Sequence, residues 1–188
     1  IGRGGAMCAG ALAEASGSRP SSRRRGFDLA KTVKEVVALL EPAAPAGFKF
    51  RVDCSESVIA LGEQTEIFRI LFNLAQNAVA AARRRPQLSE LTISVVRSNT
   101  GISVRISDDG PGLPKAAKAA LFRARSGTGA TGGFGLAIAR ELAERNGGSL
   151  TYLDGAKGAT FVLELPNAGG REIAYGAAMP SLGRRAAS

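Results

Sequence analysis

Three groups of residues in this sequence have the types and spacing to do chemistry. The first is a pair of asparagines, Asn73 and Asn77, in the run "EIFRILFNLAQNAVAAARRR". Ile67, Ile70, Leu71, Phe72, Leu74 and Ala78 recur there at helical spacing, and Glu66, Arg69, Asn73, Gln76 and Asn77 form a narrow polar stripe. One turn apart, the two amides project side by side at the border of the apolar arc. Asparagine is a mediocre helix former, and a partly buried amide left unpaired costs about 1–3 kcal/mol. The pair therefore points to a shared partner, and amide oxygens are hard neutral ligands that suit Mg²⁺ carrying phosphates and water. Two ordinary surface amides of a helix would look the same in sequence.

The second group is "RISDDGPGLP". Ile102, Val104 and Ile106 alternate onto one face of a strand, and Asp108 continues that parity toward the core side. A carboxylate there needs hydrogen-bond donors, and the exocyclic amine of adenine is one. Gly110 and Gly112 allow a sharp turn and the close approach of a flat base. The alternative is a tight turn leading into a helix, which D-G and P-G dipeptides often mark.

The third group is the run "GTGATGGFGLAIAREL". Gly127, Gly129, Gly132, Gly133 and Gly135 precede a helical pattern, so their amides offer a phosphate cradle at a helix N-terminus. Gly127, Gly129 and Gly132 also spell G-x-G-x-x-G. A dinucleotide-binding turn needs a buried strand immediately before it, and "AALFRARS" is basic and not strand-like. No Lys-Ser/Thr follows at the P-loop spacing.

These groups must be held by the elements around them. "FDLAKTVKEVVALLEP" reads as a helix capped by Asp28, with Leu29, Val33, Val36, Val37 and Leu40 on its apolar face and Pro42 stopping it. "FKFRVD" and "SVIAL" read as short strands, "EQTEIFRILFNLAQNAVAAARRR" as a long helix, and "ELTISVVR" and "GISVRISD" as strands joined by a polar turn. "PKAAKAALFRA" is expected to be helical, as is the segment from Phe134 to Arg145, and "SLTYLD" and "ATFVLELP" make a final hairpin. The fold class expected is α/β: a two-layer sandwich with one mixed, mostly antiparallel sheet and helices packed on one face. Two hairpins argue against an all-parallel sheet, which needs a crossover between strands.

Composition narrows the field. With 188 residues and 45% hydrophobic content the chain can hold one domain with a real core. It has no histidine, which excludes Ser-His-Asp chemistry and the usual zinc sites within it. Cys8 and Cys54 make no disulfide framework, and a reducing, cytoplasmic setting is the simplest expectation. No apolar run is long enough to span a membrane. The net charge of +9 is clumped at Arg23–Arg25, Arg83–Arg85 and Arg184–Arg185, near segment ends, without stacking aromatics. That pattern reads as solvated ends, and no nucleic-acid partner is expected. Residues 1–26 read as the end of an upstream helix and a linker, 27–166 as the domain, and 167–188 as a disordered tail.

In this order and spacing the three groups resemble the Bergerat-type ATP-binding fold, and within it the catalytic domain of sensor histidine kinases; gyrase-, Hsp90- and MutL-type ATPases are distant relatives. "NLAQNA" is similar to the N box, "DDGPG" to the first glycine box, "GGFGLAIA" to the second, and "GATFVLELP" to the final strand. The resemblance covers residues 27–166. It implies that Asn77 binds Mg²⁺ and that Asn73 is its first N-box companion, where gyrase-type relatives carry a general-base Glu. It implies that Asp108 reads adenine with Thr160 as a water-linked helper, and that Gly110 and Gly112 shape the purine pocket. Gly132, Gly133, Gly135 and Leu136 would meet the phosphates. Leu113 to Gly132 would form an ATP lid, with Lys115, Lys118, Arg123 and Arg125 as candidate phosphate contacts. The sequence departs from the pattern in the lid, where no second Phe follows Phe122, at Ala80, where some kinases carry lysine, and at Phe134 inside the second glycine box.

The resemblance implies a two-component kinase that uses ATP and Mg²⁺ and transfers the γ-phosphate to a histidine on a dimerisation domain outside this chain. A response regulator receiver domain and a homodimeric parent are the implied partners, with no membrane contact by this segment. An anti-sigma-factor-type serine kinase is the alternative enzyme, although that class usually carries an acidic residue where Asn73 stands. A non-catalytic nucleotide-binding scaffold of the same fold is the alternative of another class; it predicts the loss of Asn77 or Asp108, and both are present.

Overall fold

The computed structural model describes residues 24–54, 57–98, 101–119, 121–122, 134–154 and 158–167. Two helices near the start of the chain show how the sequence sets its own boundaries. The first, α1 (Leu29–Leu40), begins where the Asp28 carboxylate accepts the Lys31 amide at 3.2 Å, and it gives way to a 3₁₀ turn over Glu41–Ala43 at Pro42. The second, α2 (Gln64–Ala82), begins at Glu63, whose carboxylate accepts the amides of Thr65 (3.3 Å) and Glu66 (2.8 Å). Ile67, Ile70, Leu71 and Leu74 on α2 are almost fully buried; each such side chain contributes about 1.5–3 kcal/mol of apolar burial.

Five strands form the main sheet: β2 (Lys49–Cys54), β4 (Glu90–Arg97), β5 (Ile102–Asp108), β6 (Ser149–Leu153) and β7 (Thr160–Leu165). Their order is β2-β4-β5-β7-β6. Only the β2–β4 pair is parallel; β4–β5, β5–β7 and β6–β7 are antiparallel. Leu91, Ile93, Val95, Ile102, Val104 and Ile106 turn to the buried face, where α1, α2 and α4 (Phe134–Arg145) pack. Thr92, Ser94, Ser103 and Arg105 alternate onto the other, more open face.

Two features differ from the expectation. "SVIAL" does not join the main sheet: as β3 (Ile59–Gly62) it pairs antiparallel with a short strand β1 (Arg25–Asp28) in a separate two-stranded ribbon. β1 has no period of its own, and Gly26 and Phe27 are held by β3 partners more than thirty positions away. It also starts inside the segment read as linker. The helix expected over "PKAAKAALFRA" is limited to α3 (Lys115–Ala119), with Leu121 and Phe122 in a turn.

α2 and α4 are fastened together by Asn146, which is 1% exposed. Its Oδ1 accepts the Glu63 amide at 2.7 Å, and its Nδ2 donates to Glu66 Oε2 and to the Leu142 carbonyl, each at 2.8 Å. A buried amide with all these bonds satisfied holds two helices in one register. Among the described residues no helix is long and apolar enough to cross a membrane.

Candidate nucleotide-binding site

Asp108 ends β5 on the parity of Ile102, Val104 and Ile106, and its carboxylate is half-buried. Oδ1 accepts the amide of Gly110 at 3.0 Å and that of Ala159 at 3.1 Å. The backbone beside it is locked too, with the Asp108 amide on the Ala159 carbonyl at 3.0 Å. Oδ2 has no hydrogen-bond partner among the described residues. One oxygen is thus fixed by two donors, and the other is left as an oriented acceptor, which suits an amine donor such as that of adenine.

Two glycines make this arrangement possible. Gly158 has φ +73°, and a Cβ there would overlap the Asp108 carbonyl. Gly112, at φ +75°, would bring a Cβ within 3.0 Å of the Gly158 carbonyl oxygen. The loop after β5 and the turn before β7 therefore press on each other backbone to backbone, and only glycine fits both places.

Asn73 lies on the α2 face that meets the start of α4. Its Nδ2 is 3.4 Å from the Gly135 carbonyl, a long hydrogen bond, and a Cβ on Gly135 would lie 3.8 Å from the Asn73 carboxamide carbon. Asn77, one turn on, is exposed, with no hydrogen-bond partner among the described residues. Leu136 is half-buried against the core. The structure thus brings together Asn73, Gly135 and Leu136, from stretches sixty residues apart in sequence, and places Asn77 on the same helix beside them. Gly132, Gly133, Arg123 and Arg125 lie outside the described residues.

The lid candidates separate. Lys115 is exposed at the start of α3. Lys118 is engaged elsewhere: its ammonium pairs with Asp154 and stands 6.0 Å from the Tyr152 ring centre. The hydrogen bond to Asp154 pushes its pKa up, keeping it charged and occupied. Phe122 lies under the guanidinium of Arg140, 5.1 Å from ring centre to cation.

Thr160 is not placed at the Asp108 carboxylate. Phe161, Leu163 and Leu165 take the core face of β7, so Thr160 turns to the opposite face, where its hydroxyl lies 2.8 Å from Ser107 Oγ. The last strand reaches Asp108 through the amide of Ala159 instead. Sequence reasoning missed Ala159 because a backbone donor carries no residue signature.

It also missed Asp109. Oδ1 of Asp109 accepts the amides of Ser89 (2.8 Å) and Glu90 (2.9 Å), and Oδ2 accepts the Ser89 hydroxyl at 2.7 Å. Partial burial alone would raise its pKa. The bonds from the Glu90 amide, the Ser89 hydroxyl and the Ser89 amide outweigh it and hold the carboxyl below the usual range. An open groove of about 360 Å³ runs past Glu90, Thr92, Ser107, Asp108 and Asp109. Its carboxylates repel phosphate, so the groups suited to a triphosphate are those at the α2–α4 end.

A family model described as histidine kinase-, DNA gyrase B-, and HSP90-like ATPase matches residues 62–169. The chain is 31% identical over 148 residues to the C4-dicarboxylate transport sensor protein DctS of Rhodobacter capsulatus, covering 74% of this chain and 22% of that protein. It is 28% identical over 164 residues to the sensor-like histidine kinase SenX3 of Mycobacterium tuberculosis, covering 82% of this chain and 39% of that protein. The chain therefore spans well under half the length of these curated relatives. Among solved structures, the catalytic domain of histidine kinase ThkA superposes with a TM-score of 0.63 at 25% identity, over 77% of this chain and 97% of that one. The ATP-binding domain of PrrB from Mycobacterium tuberculosis shares the fold, with a TM-score of 0.63 at 21% identity, over 77% of this chain and 98% of that one. The sheet order, the paired asparagines, the glycine-framed aspartate and a family match across more than half of the chain agree: the protein belongs to the histidine kinase-, DNA gyrase B- and HSP90-like ATPase family, in its sensor histidine kinase branch.

Proposed function

We propose that this chain is the catalytic ATP-binding domain of a bacterial two-component histidine kinase, and that it delivers the γ-phosphate of ATP to a histidine on a dimerisation domain. The observation that carries the reading is the pairing of Asn73 with the Gly135 carbonyl at the start of α4. It joins the N box to the second glycine box, and it sets an amide where a hydrolytic relative needs a general-base carboxylate. No group at that position takes a proton from water, so the geometry favours transfer to a protein acceptor. The chain itself has no histidine.

In this reading Asp108 accepts the adenine amine on Oδ2, and Gly110 and Gly112 leave room for the ring. Asn77, with Asn73 beside it, supplies the amide oxygens that fit Mg²⁺, which would neutralise charge on the phosphates. The amides at the start of α4, including those of Gly135 and Leu136, are the proposed donors to the phosphate chain, and Gly132 and Gly133 are proposed to bind it with them. Lys115, Arg123 and Arg125 are the remaining lid cations for the γ-phosphate, since Lys118 is committed to Asp154. The imidazole nitrogen attacks the γ-phosphorus in line, the bond to the β–γ bridging oxygen breaks, and ADP leaves. Catalysis is mainly positioning and charge stabilisation.

A receiver domain of a response regulator is the proposed next acceptor, and the parent is proposed to be a cytoplasm-facing homodimer. The ThkA kinase has been solved with the response regulator TrrA, which supports the receiver domain as a partner. Titration of ATP–Mg²⁺ into the chain and its Asn77→Ala and Asp108→Ala variants tests the site. Tight binding by the parent and weakened binding by both variants are expected; unchanged binding in both contradicts the assignment.

A further inference from the structure

Asp109 occupies the variable position of "DDGPG", between the carboxylate proposed to read adenine and the glycine that supports it. It is also the most heavily bonded carboxylate of the loop. Its side chain takes three hydrogen bonds from Ser89 and Glu90, and its own amide reaches the Glu90 carbonyl at 3.3 Å. The Gly110 amide that holds Asp108 Oδ1 belongs to the peptide between residues 109 and 110. Its direction follows the backbone angles of Asp109, because the peptide plane is rigid. If residue 109 rotates, the Gly110 N–H swings off Oδ1. The same connection from α2 to β4 supports the rest of the loop: Leu88 packs where a Cβ on Gly110 would stand, at 2.9 Å, and Arg85 reaches the Gly112 carbonyl at 3.4 Å.

We infer that Asp109 is a positioning residue for purine selection: anchored on Ser89 and Glu90, it fixes the Gly110 amide and so aims the free oxygen of Asp108 at the base. The inference rests on the reading of Asp108 as the adenine acceptor. A correctly aimed carboxylate accepts from the 6-amino group of adenine and opposes the 6-oxo group of guanine, an acceptor facing an acceptor. A carboxylate free to rotate loses that discrimination before it loses all affinity. Loss of the clamp should therefore change the ratio of ATP to GTP binding, which a general loss of stability would not do in a folded protein.

The test compares Kd for ATP and for GTP, each with Mg²⁺, in the 188-residue chain and in Asp109→Ala, Asp109→Asn and Asp108→Ala variants, with thermal unfolding of each as the check on folding. Asp109→Ala should weaken ATP binding about tenfold and lower the ATP-to-GTP preference by a similar factor. Asp109→Asn should stay within about twofold, because its Oδ1 still accepts both backbone amides and its Nδ2 can donate to Ser89 Oγ. If Asp109→Ala does not fold, Asp109→Glu takes its place. It keeps the charge but is one methylene too long for the same three partners, and it should lose selectivity too. A folded Asp109→Ala or Asp109→Glu variant that keeps both affinity and preference, while Asp108→Ala loses them, overturns the inference and leaves the adenine reading intact. An Asp108→Ala variant that binds ATP like the parent overturns the adenine reading itself, and this inference with it.

Discussion

Around Asp108 the backbone does the holding: two amides take one carboxylate oxygen, Gly158 and Gly112 press together, and Asp109 ties the loop to β4. Around Asn73 and Asn77 side chains do the holding, through one long bond from Asn73 to Gly135, while Asn77 stands exposed. The contrast fits what each end is proposed to bind. A purine edge is rigid and neutral, and a fixed acceptor selects it at little reorganisation cost. A metal-loaded triphosphate is highly charged and must be passed on, so ligands with unspent hydrogen-bonding capacity serve it better.

The largest effect should come from Gly158→Ala. The new Cβ meets the Asp108 carbonyl at a φ that disfavours any side chain, so a loss of at least about 3 kcal/mol of stability is expected in denaturant unfolding. A mild effect there would mean that the adenine end is looser than its contacts suggest. Asp108→Asn sharpens the comparison. Its Oδ1 can still accept from Gly110 and Ala159, so stability should change by less than about 1 kcal/mol. The outward group becomes a donor facing a donor, and ATP affinity should fall about 10- to 100-fold by calorimetry.

Asn77→Ala should behave in the opposite way to Gly158→Ala. Alanine is the better helix former by about 0.5 kcal/mol, so thermal stability should hold or rise slightly, while Mg²⁺-dependent ATP binding falls. Asp109 adds a pH signature. Its folded pKa is depressed, so its contribution is complete above the unfolded value of about 4 and is lost as pH falls through the lower folded value. The stability gap between the parent and Asp109→Asn should therefore shrink as the pH is taken from 5 toward 2. Glu90 and Asp108 line the same groove and are present in both the parent and the variant, so the comparison isolates Asp109. The smallest effect belongs to Lys118→Ala: its ion pair with Asp154 is exposed and screened by solvent, so unfolding should be unchanged and ATP affinity should stay within about threefold.

Much of this plan was legible in the residues. α1, β4, β5 and α4 carry strong periodicity of their own, and their observed bounds follow it closely. Asn73, Asn77 and Asp108 stood out in sequence because amides on an apolar helix border and a carboxylate on core parity are unusual without a partner, and the structure sets Asn73 on the Gly135 carbonyl and Asp108 at the end of β5. β1 was not readable, because four residues after an arginine run have no local pattern and their partner strand lies far along the chain. Thr160 shows a different limit. The resemblance implies a water-linked helper there; strand parity sets its hydroxyl against Ser107, and the direct bond to Asp108 comes from the Ala159 amide. Asp109 reads as a turn residue in sequence because its partners, Ser89 and Glu90, lie about twenty residues earlier, where β4 begins.

The central claim is that Asp108 and Asn77 bind opposite ends of one ATP. Calorimetric titration of ATP into the parent, Asp108→Asn and Asn77→Ala, each with Mg²⁺ and with EDTA, tests it most directly. The account predicts that Asp108→Asn weakens binding by a similar factor with or without the metal, while Asn77→Ala weakens it mainly when Mg²⁺ is present. Equal metal dependence in Asn77→Ala and the parent, or parental affinity in Asp108→Asn, would contradict it.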